Sequence, residues 1–319
     1  MQIVRHHQHV PPAQKGAVFA VGNFDGVHKG HQKVIAIAAE RARQMKAPLG
    51  VLVFEPHPRR FFFPDEPFFR LTPFRSKTKL LQALGVDLMA ALPFDADMAG
   101  LSPQEFVHDV LVSGLGASHL VVGFDFRFGK GRAGDPDALT KLSKAHRVET
   151  TIVEPVTHDA AGEVYSSSRI RELLGKGDPR AAADLLGHWW SVESQVIKGD
   201  QRGRTIGFPT ANLALADHVE PALGVYAVLV TVEDGPHKGI YDGVANLGRR
   251  PTFDKRDVLL EAHLFDFTGD LYGRHVAVSF IDFIRPERKF DGLESLKAQI
   301  TKDSGEARAR LAKIGKNAG

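Results

Sequence analysis

A chain of 319 residues, 43% hydrophobic and 25% charged, has the ordinary make-up of a folded protein and is long enough for two domains, each with its own core. Its net charge is only +3, and although the pI is near 9.0 with 15 histidines, Lys and Arg are interspersed with Asp and Glu, so phosphate-bearing small ligands explain the balance as well as nucleic acid does. The lack of cysteine excludes a disulfide framework, a Cys-zinc site and a thiol nucleophile, and with a polar, His-rich start and no long apolar run the expectation is a cytoplasmic protein.

The first strong pattern is an apolar strand over Val18 to Val21, broken at Gly22 and again at Gly26. It leads into a predicted helix with Val34, Ile37, Ala38, Ala42 and Met45 on one face. A strand, a Gly-containing loop and a helix leave free N–H groups and the positive end of a dipole at the loop, which suits a phosphate. The loop is neither a Walker A nor a GxGxxG fingerprint, because no Lys-Ser/Thr follows its last Gly and the glycine spacing differs. It does offer His28 and His31, three apart at the mouth of the helix. Paired imidazoles there can donate to triphosphate oxygens as charge builds in a transition state; a capping and a surface histidine are the alternative. His28-Lys29-Gly30-His31 resembles the HxGH motif of the nucleotidylyltransferase superfamily.

Leu49 to Phe54 reads as a second buried strand, stopped by Glu55-Pro56-His57-Pro58 at the carboxyl end where open α/β sheets bind ligands. Residues 61 to 69 hold five phenylalanines broken by prolines, fit either for a flap that closes over a flat ring or for a loop stapled to the core. A helix over Ser76 to Leu84 with Leu80, Leu81 and Leu84, a strand over Leu88 to Leu92, and a capping box at Ser102-Pro103-Gln104-Glu105 come next. The strand from Leu120 runs into a basic Gly-rich loop in which Arg127, Lys130 and Arg132 can reach phosphates, or form a solvated turn. After a strand over Val148 to Val153, Ser166, Ser167 and Ser168 open a helix with Arg171, a second anion cradle unless they are a plain serine cap. Strands alternating with helices predict a parallel, doubly wound sheet with the polar groups gathered in one cleft.

Gly175 to Pro179 interrupts this pattern, and a short Ala-rich helix to Leu186 marks the boundary, giving expected domains of 1–185 and 186–319. Strands follow without helices between them, over Trp190 to Ile197, Gly224 to Val232, Ile240 to Leu247, Val258 to Phe265 and His275 to Ile284. They predict a small antiparallel barrel, with a final helix packing Leu293, Leu296, Ile300, Ala307 and Leu311 against it. The fold class is therefore α/β plus β. Gly199, Gly203 and Gly207 let backbone approach phosphates, and Thr210 and Asn212 put two hard oxygen donors on one side of an extended segment, as Mg²⁺ accepts. A hairpin with a proline turn is the alternative.

Seven motifs in order, over about residues 15 to 313, resemble the bacterial bifunctional riboflavin kinase/FMN adenylyltransferase family, or FAD synthetases. They are Gly22-Asn23-Phe24-Asp25-Gly26-Val27-His28, Pro56-His57-Pro58, Val122 to Gly129, Ser166 to Arg171, Gly203-Arg204-x-Ile206-Gly207-Phe208-Pro209-Thr210-Ala211-Asn212, Gly243 to Phe253, and Asp270-Leu271-Tyr272-Gly273. The resemblance implies that the barrel phosphorylates riboflavin with ATP as co-substrate. Gly199, Gly203, Arg204, Gly207, Phe208 and Pro209 would hold the nucleotide, Thr210 and Asn212 the metal, and Glu261 would act as base. Strand alternation agrees on Glu261, which shares a face with Leu259 and His263, although an edge strand can carry a charge on either face. Asn246 and Arg249 or Arg250 would contact flavin or phosphate.

The α/β domain would adenylylate FMN to FAD. ATP would be held by Gly22, Asn23, Phe24, Asp25, Gly26, Gly30, Arg127, Ser166, Ser167, Ser168 and Arg171, with His28 and His31 stabilising the transition state. Pro58, Phe62, Asp125 and Phe128 would hold the flavin. The implied partners are riboflavin, FMN and ATP, without nucleic acid, membrane or obligate protein partner. A nucleotidylyltransferase joined to a non-catalytic nucleic-acid-binding or regulatory barrel is the other expectation. The missing clustered basic face speaks against it.

Overall fold

The computed structural model describes residues 1–67, 69–157, 162–198, 207–249 and 258–314. The chain divides into two compact units, Met1–Pro67 with Thr72–Ser166, and Phe68–Leu71 with Ser167–Gly319.

The strands of the first unit are short, and the four inner ones are apolar runs buried on both faces, the composition that parallel sheets require. In chain order the strands are β1 (Gln2–Val4), β2 (Val18–Val21), β3 (Leu49–Phe54), β4 (Leu88–Leu92), β5 (His119–Gly123) and β6 (Glu149–Val153). All pair in parallel, in the order β1-β4-β3-β2-β5-β6, with Val18 in register with both Leu49 and His119. The chain thus winds outward from β2 in both directions, as expected of a doubly wound sheet. The crevice between the ends of β2 and β5 is the switch point where such sheets bind ligands.

Alternation along β2 feeds two cores. Phe19 and Val21 join Leu52, Leu92, Phe106 and Leu111, while Val18 and Ala20 join Val34, Ile35, Ala38, Val51 and Leu81. Each large aliphatic side chain so buried contributes about 1.5–3 kcal/mol. The helices are α1 (Lys29–Met45), α2 (Pro58–Phe62), α3 (Phe74–Ala83), α4 (Ala96–Gly100), α5 (Pro103–Glu105) and α6 (Pro136–Ala145). The capping box at Ser102 is present, and α5 runs straight into a π-helical segment, Phe106–Gly114. Both helical stripes face the core as expected, over Val34, Ile37, Ala38 and Ala42 in α1 and Leu80 and Leu81 in α3, and they depart from expectation only at their ends and at one added position. In α1, Ile35 is buried while Met45 is exposed, and Leu84, just past the end of α3, is exposed too. The polar start of the chain gives no strand signal, yet β1 forms by edge pairing with β4.

The second unit opens with α7 (Ser167–Gly175) and α8 (Pro179–Leu186), the latter ended by Gly187 in the left-handed region. Its strands are β7 (Ser191–Gln195), β8 (Ala211–Ala214), β9 (Gly224–Val232), β10 (Gly239–Arg249), β11 (Val258–Leu264) and β12 (His275–Pro286). They are antiparallel in the order β7-β12-β9-β10-β11-β8. Just beyond β7 the Ile197 N–H donates to the Asn212 carbonyl at 2.9 Å, so the sheet nearly closes into a barrel. The last helix, α9 (Leu293–Leu311), packs Ala307 and Leu311 on Val225, Ala227, Val244, Phe265 and Ile281. Leu293, placed on that stripe by spacing, is exposed; Asp303 is buried instead and paired with Arg285 of β12.

Candidate active sites

In the first unit, β2 ends at Val21 and the loop to α1 is wound tightly. Phe24 (φ 49°), Gly26 (φ 85°) and Val27 (φ 44°) all lie in the left-handed region, which costs about 1–2 kcal/mol for each of the two residues that carry a Cβ. Internal bonds hold this strain in place. The Thr72 N–H donates to Asp25 Oδ1 at 3.1 Å, the Gly26 N–H donates to Thr72 Oγ1 at 2.8 Å, and Gln32 Nε2 donates to the Val27 carbonyl at 2.8 Å. The Lys77 ammonium, on α3, donates to the Asn23 carbonyl at 2.8 Å. Asp25, a nucleotide contact by motif, is thus buried and bonded to the Thr72 turn.

His28 caps α1, its Nδ1 accepting from the His31 N–H at 3.3 Å. The two imidazoles stack with centroids 3.5 Å apart at 18°, and the Phe24 ring stands edge-on to His31 at 5.2 Å. Gly30 permits this stack, since a Cβ there would meet the His28 ring and Tyr165 at 3.2 Å each. Burial above all, then the charges of His28 and Lys77, hold His31 well below the ordinary histidine pKa, so at neutral pH it is an uncharged donor and acceptor. His31 Nδ1 and Asn23 Oδ1 are buried with no partner among the described residues. Such atoms are rare in native proteins and call for a ligand or ordered water.

The loop after β5 carries Asp125 and Arg127, both exposed, with the Arg127 guanidinium donating to the Phe126 carbonyl at 3.0 Å. Phe128 is buried in the core, against Phe106 and stacked on Phe126, so Phe126 is the ring of this pair nearer to solvent. Pro58 begins α2, and Phe62 on the same helix is 57% exposed, edge-on to Phe61 and Phe94. Gly22 extends the ladder by donating to the Leu52 carbonyl at 3.1 Å. Ser166 ends the last segment of this unit. In the second unit, Ser167 and Ser168 open α7, and Arg171 on the same helix donates to the Phe69 carbonyl at 2.6 Å with its guanidinium over the Phe69 ring.

Register builds the site in the barrel. Asn212 of β8 pairs with Glu261 of β11, and Glu261 pairs with Asn246 of β10. Directly opposed residues project to one face, so this row gathers three polar side chains named from the sequence at separations of 34 and 49 residues or less along the chain. Asn212 is buried, its Nδ2 donates to the Thr210 carbonyl at 3.4 Å, and its Oδ1 has no partner among the described residues. His263 Nδ1 lies 2.8 Å from the Pro209 carbonyl, which can only accept, so the ring proton sits on Nδ1. The same ring meets Phe208 edge-on and thereby fixes the segment Gly207 to Thr210. Arg249 forms an exposed ion pair with Glu220. Gly248 is a close approach, because the Glu287 carboxylate and Asn246 Nδ2 crowd the place where a Cβ would be. Gly199, Gly203, Arg204 and Arg250 lie outside the described residues.

Sequence reasoning missed Thr72, Lys77, His263 as a clamp, and Glu287. Only Lys77 carried a signal, as a lysine one turn before Leu81 on the apolar stripe of α3.

Comparison with known proteins covers both units. The family model for FAD synthetase matches residues 10–169, and the model for riboflavin kinase matches residues 186–311. The chain is 41% identical over 309 residues to the bifunctional riboflavin kinase/FMN adenylyltransferase of Escherichia coli (strain K12), covering 97% of each. It is 39% identical over 316 residues to that of Bacillus subtilis (strain 168), covering 96% of each. A crystal structure of a protein from Streptococcus pneumoniae, described as a macrolide-efflux protein, is similar with a TM-score of 0.84 at 32% identity, covering 96% of this chain and 98% of that one. Among the described residues no helix is long and apolar enough to cross a membrane.

Proposed function

The chain belongs to the bifunctional riboflavin kinase/FMN adenylyltransferase family, phosphorylating riboflavin to FMN and adenylylating FMN to FAD, and from that premise we propose how its own residues divide the two reactions. One observation carries the assignment: of the six buried polar side-chain atoms that lack partners among the described residues, on Gln14, Asn23, His31, Asn212, His275 and Ser304, three fall on residues named for the two sites, Asn23 and His31 in one unit and Asn212 in the other. His31 and Asn212 are singled out by their chemistry and Asn23 by the resemblance, and each is an acceptor or donor that a bound nucleotide or ion would satisfy.

In the kinase half, Glu261 takes the proton of the ribityl 5′-hydroxyl as its oxygen attacks the γ-phosphorus of ATP; a new P–O bond forms, the bond to the β-phosphate oxygen breaks, and ADP leaves. Asn246 in the adjacent register position orients the acceptor, and His263 keeps the Pro209 to Asn212 run in place. The residues fit a hard cation, since the orphaned Asn212 Oδ1 is an amide oxygen of the kind Mg²⁺ takes and Thr210 offers a hydroxyl two residues before. Bound Mg²⁺ would neutralise phosphate charge as the phosphoryl group moves. The Gly199, Gly203, Arg204 and Gly207 run would complete the nucleotide cradle, with Arg249 beside the flavin or phosphate.

In the adenylylating half, an FMN phosphate oxygen attacks the α-phosphorus of ATP and pyrophosphate leaves, so no protein nucleophile is needed. His28 and neutral His31 donate to the phosphate oxygens as charge builds. Ser166 and Arg127 supply further donors, and Pro58, Phe62 and the Asp125 to Phe128 loop border the isoalloxazine.

Assaying the two half-reactions separately on single variants tests the division. His28→Ala should lower FAD formation by about 10²–10³ and leave FMN formation intact. Glu261→Gln should lower FMN formation by about 10²–10⁴ and leave FAD formation from supplied FMN intact. Equal loss of both activities in either variant would refute it.

A further inference from the structure

The peptide between Asn23 and Phe24 heads the loop after β2, and its two ends are treated differently. Its carbonyl is captured by the Lys77 ammonium at 2.8 Å. Neither the Asn23 N–H nor the Phe24 N–H donates to another group among the described residues. The peptide is trans, and in a trans peptide C=O and N–H point in opposite directions. A cation that holds the carbonyl on the α3 side therefore turns the Phe24 N–H away from α3.

Lys77 is itself 3% exposed, one turn before the fully buried Leu81. Burying an ammonium is costly, and an aliphatic side chain would pack this stripe of α3 without that cost. A buried charge kept beside a strained loop and two stacked histidines is the arrangement expected where function sets the requirement. Its charge also reaches the His31 ring.

We propose that Lys77 is a positioning residue of the FAD-forming reaction: it fixes the Asn23–Phe24 peptide so that the Phe24 N–H faces the polyphosphate of ATP, and it lends positive charge to that end of the pocket. The inference rests on reading the Gly22 to His31 loop as the adenylyltransferase nucleotide pocket.

Lys77→Met keeps the length of the side chain and removes the donor and the charge, while Lys77→Arg keeps the charge. In the full chain, Lys77→Met raises the KM for ATP in FAD formation on the order of ten- to a hundredfold, with a smaller fall in kcat. It weakens inhibition by inorganic pyrophosphate by a similar factor, and it moves the NMR titration of the His31 ring upward, because a neighbouring positive charge is gone. Its unfolding midpoint falls by no more than about 5 °C, the loss expected of one unsatisfied carbonyl, riboflavin phosphorylation stays within twofold, and Lys77→Arg recovers part of the ATP affinity. An unchanged KM for ATP with an unchanged His31 titration overturns the proposal. So does a loss of stability that accounts by itself for the lost activity, which would make Lys77 a mere strut. His28→Ala in the same assay separates the two levels. If it too leaves FAD formation intact, the pocket reading fails; if it abolishes FAD formation while Lys77→Met behaves as wild type, only the role of Lys77 fails.

Discussion

Burial, His28 and Lys77 all act to keep the His31 ring uncharged, and that has a cost that depends on pH with a definite sign. An unfolded histidine titrates near 6.5, whereas the folded ring resists the proton. As pH falls through about 6.5 the unfolded chain gains a proton that the folded chain refuses, so the stability is fully present above that value and is lost on the acid side. Thermal unfolding of the protein between pH 8 and 5 should show the adenylyltransferase unit weakening below pH about 6.5, with His31→Gln flattening the fall. Parallel curves for the two proteins would mean that the ring is not held neutral. At this scale the sequence is informative only where residue type and spacing are themselves the signal. His28, His31, Asn212 and Glu261 sit in short runs whose chemistry is visible on paper. Lys77 bonds to a carbonyl 54 positions away, Thr72 ties down a loop 46 and 47 positions before it, and His263 grips Pro209 across 54 positions. No local pattern encodes such pairs.

The terminal helix shows how an element can be foreseen while its interface is not. Its length follows from periodicity, but α9 uses Ala307 and Leu311 for apolar contact and spends its third buried position on Asp303. That carboxylate takes a forked pair of bonds from Arg285, Nε to Oδ1 at 3.1 Å and the guanidinium to Oδ2 at 2.8 Å, with side-chain exposures of 18% and 4%. A buried pair broken on one side leaves an uncompensated charge, so Asp303→Ala should destabilise the barrel unit by about 3–5 kcal/mol. Replacing both partners by Met and Leu should recover most of the loss. Urea denaturation of the three proteins measures this, and a single variant as stable as wild type would mean the pair carries no structural weight. Strand β8 escaped recognition for a related reason. It is four residues long, follows Pro209, and exists because Asn212 and Leu213 find register with Glu261 and Leu260, which is a non-local fact. The doubly wound sheet was legible because its buried strands are continuous apolar runs, and the face of α1 was legible from its period over Val34, Ala38 and Ala42, failing only at the helix end, where Met45 extends into solvent.

On the scale of the whole molecule, a boundary at 186 describes where the sequence changes texture, and the proposed kinase domain of 186–319 can be judged by what such a fragment would lose. The second compact unit draws in a short stretch from far upstream. The Trp190 indole N–H donates to the Leu71 carbonyl at 2.9 Å, the Val219 N–H donates to the Arg70 carbonyl at 2.8 Å, and Arg70 bridges to His218 in parallel. Trp190 is fully buried, so cutting the chain at 186 strands its N–H without a partner. A buried donor left unsatisfied costs about 1–3 kcal/mol. The fragment should therefore fold and phosphorylate riboflavin, because the ring of strands and α9 is intact, but with a barrel transition weaker than in the full chain by at least about 2–6 kcal/mol, since α7 and nearly all of α8 are lost along with residues 69–71. Trp190→Phe distinguishes this cause from a general effect of truncation. In the full chain it removes a satisfied bond and lowers stability, whereas in the fragment it removes an unsatisfied group and should be neutral or stabilising. Equal losses in both backgrounds would show that residues 69–71 do not complete the barrel, and a fragment that fails to fold would show that the kinase half begins before 186.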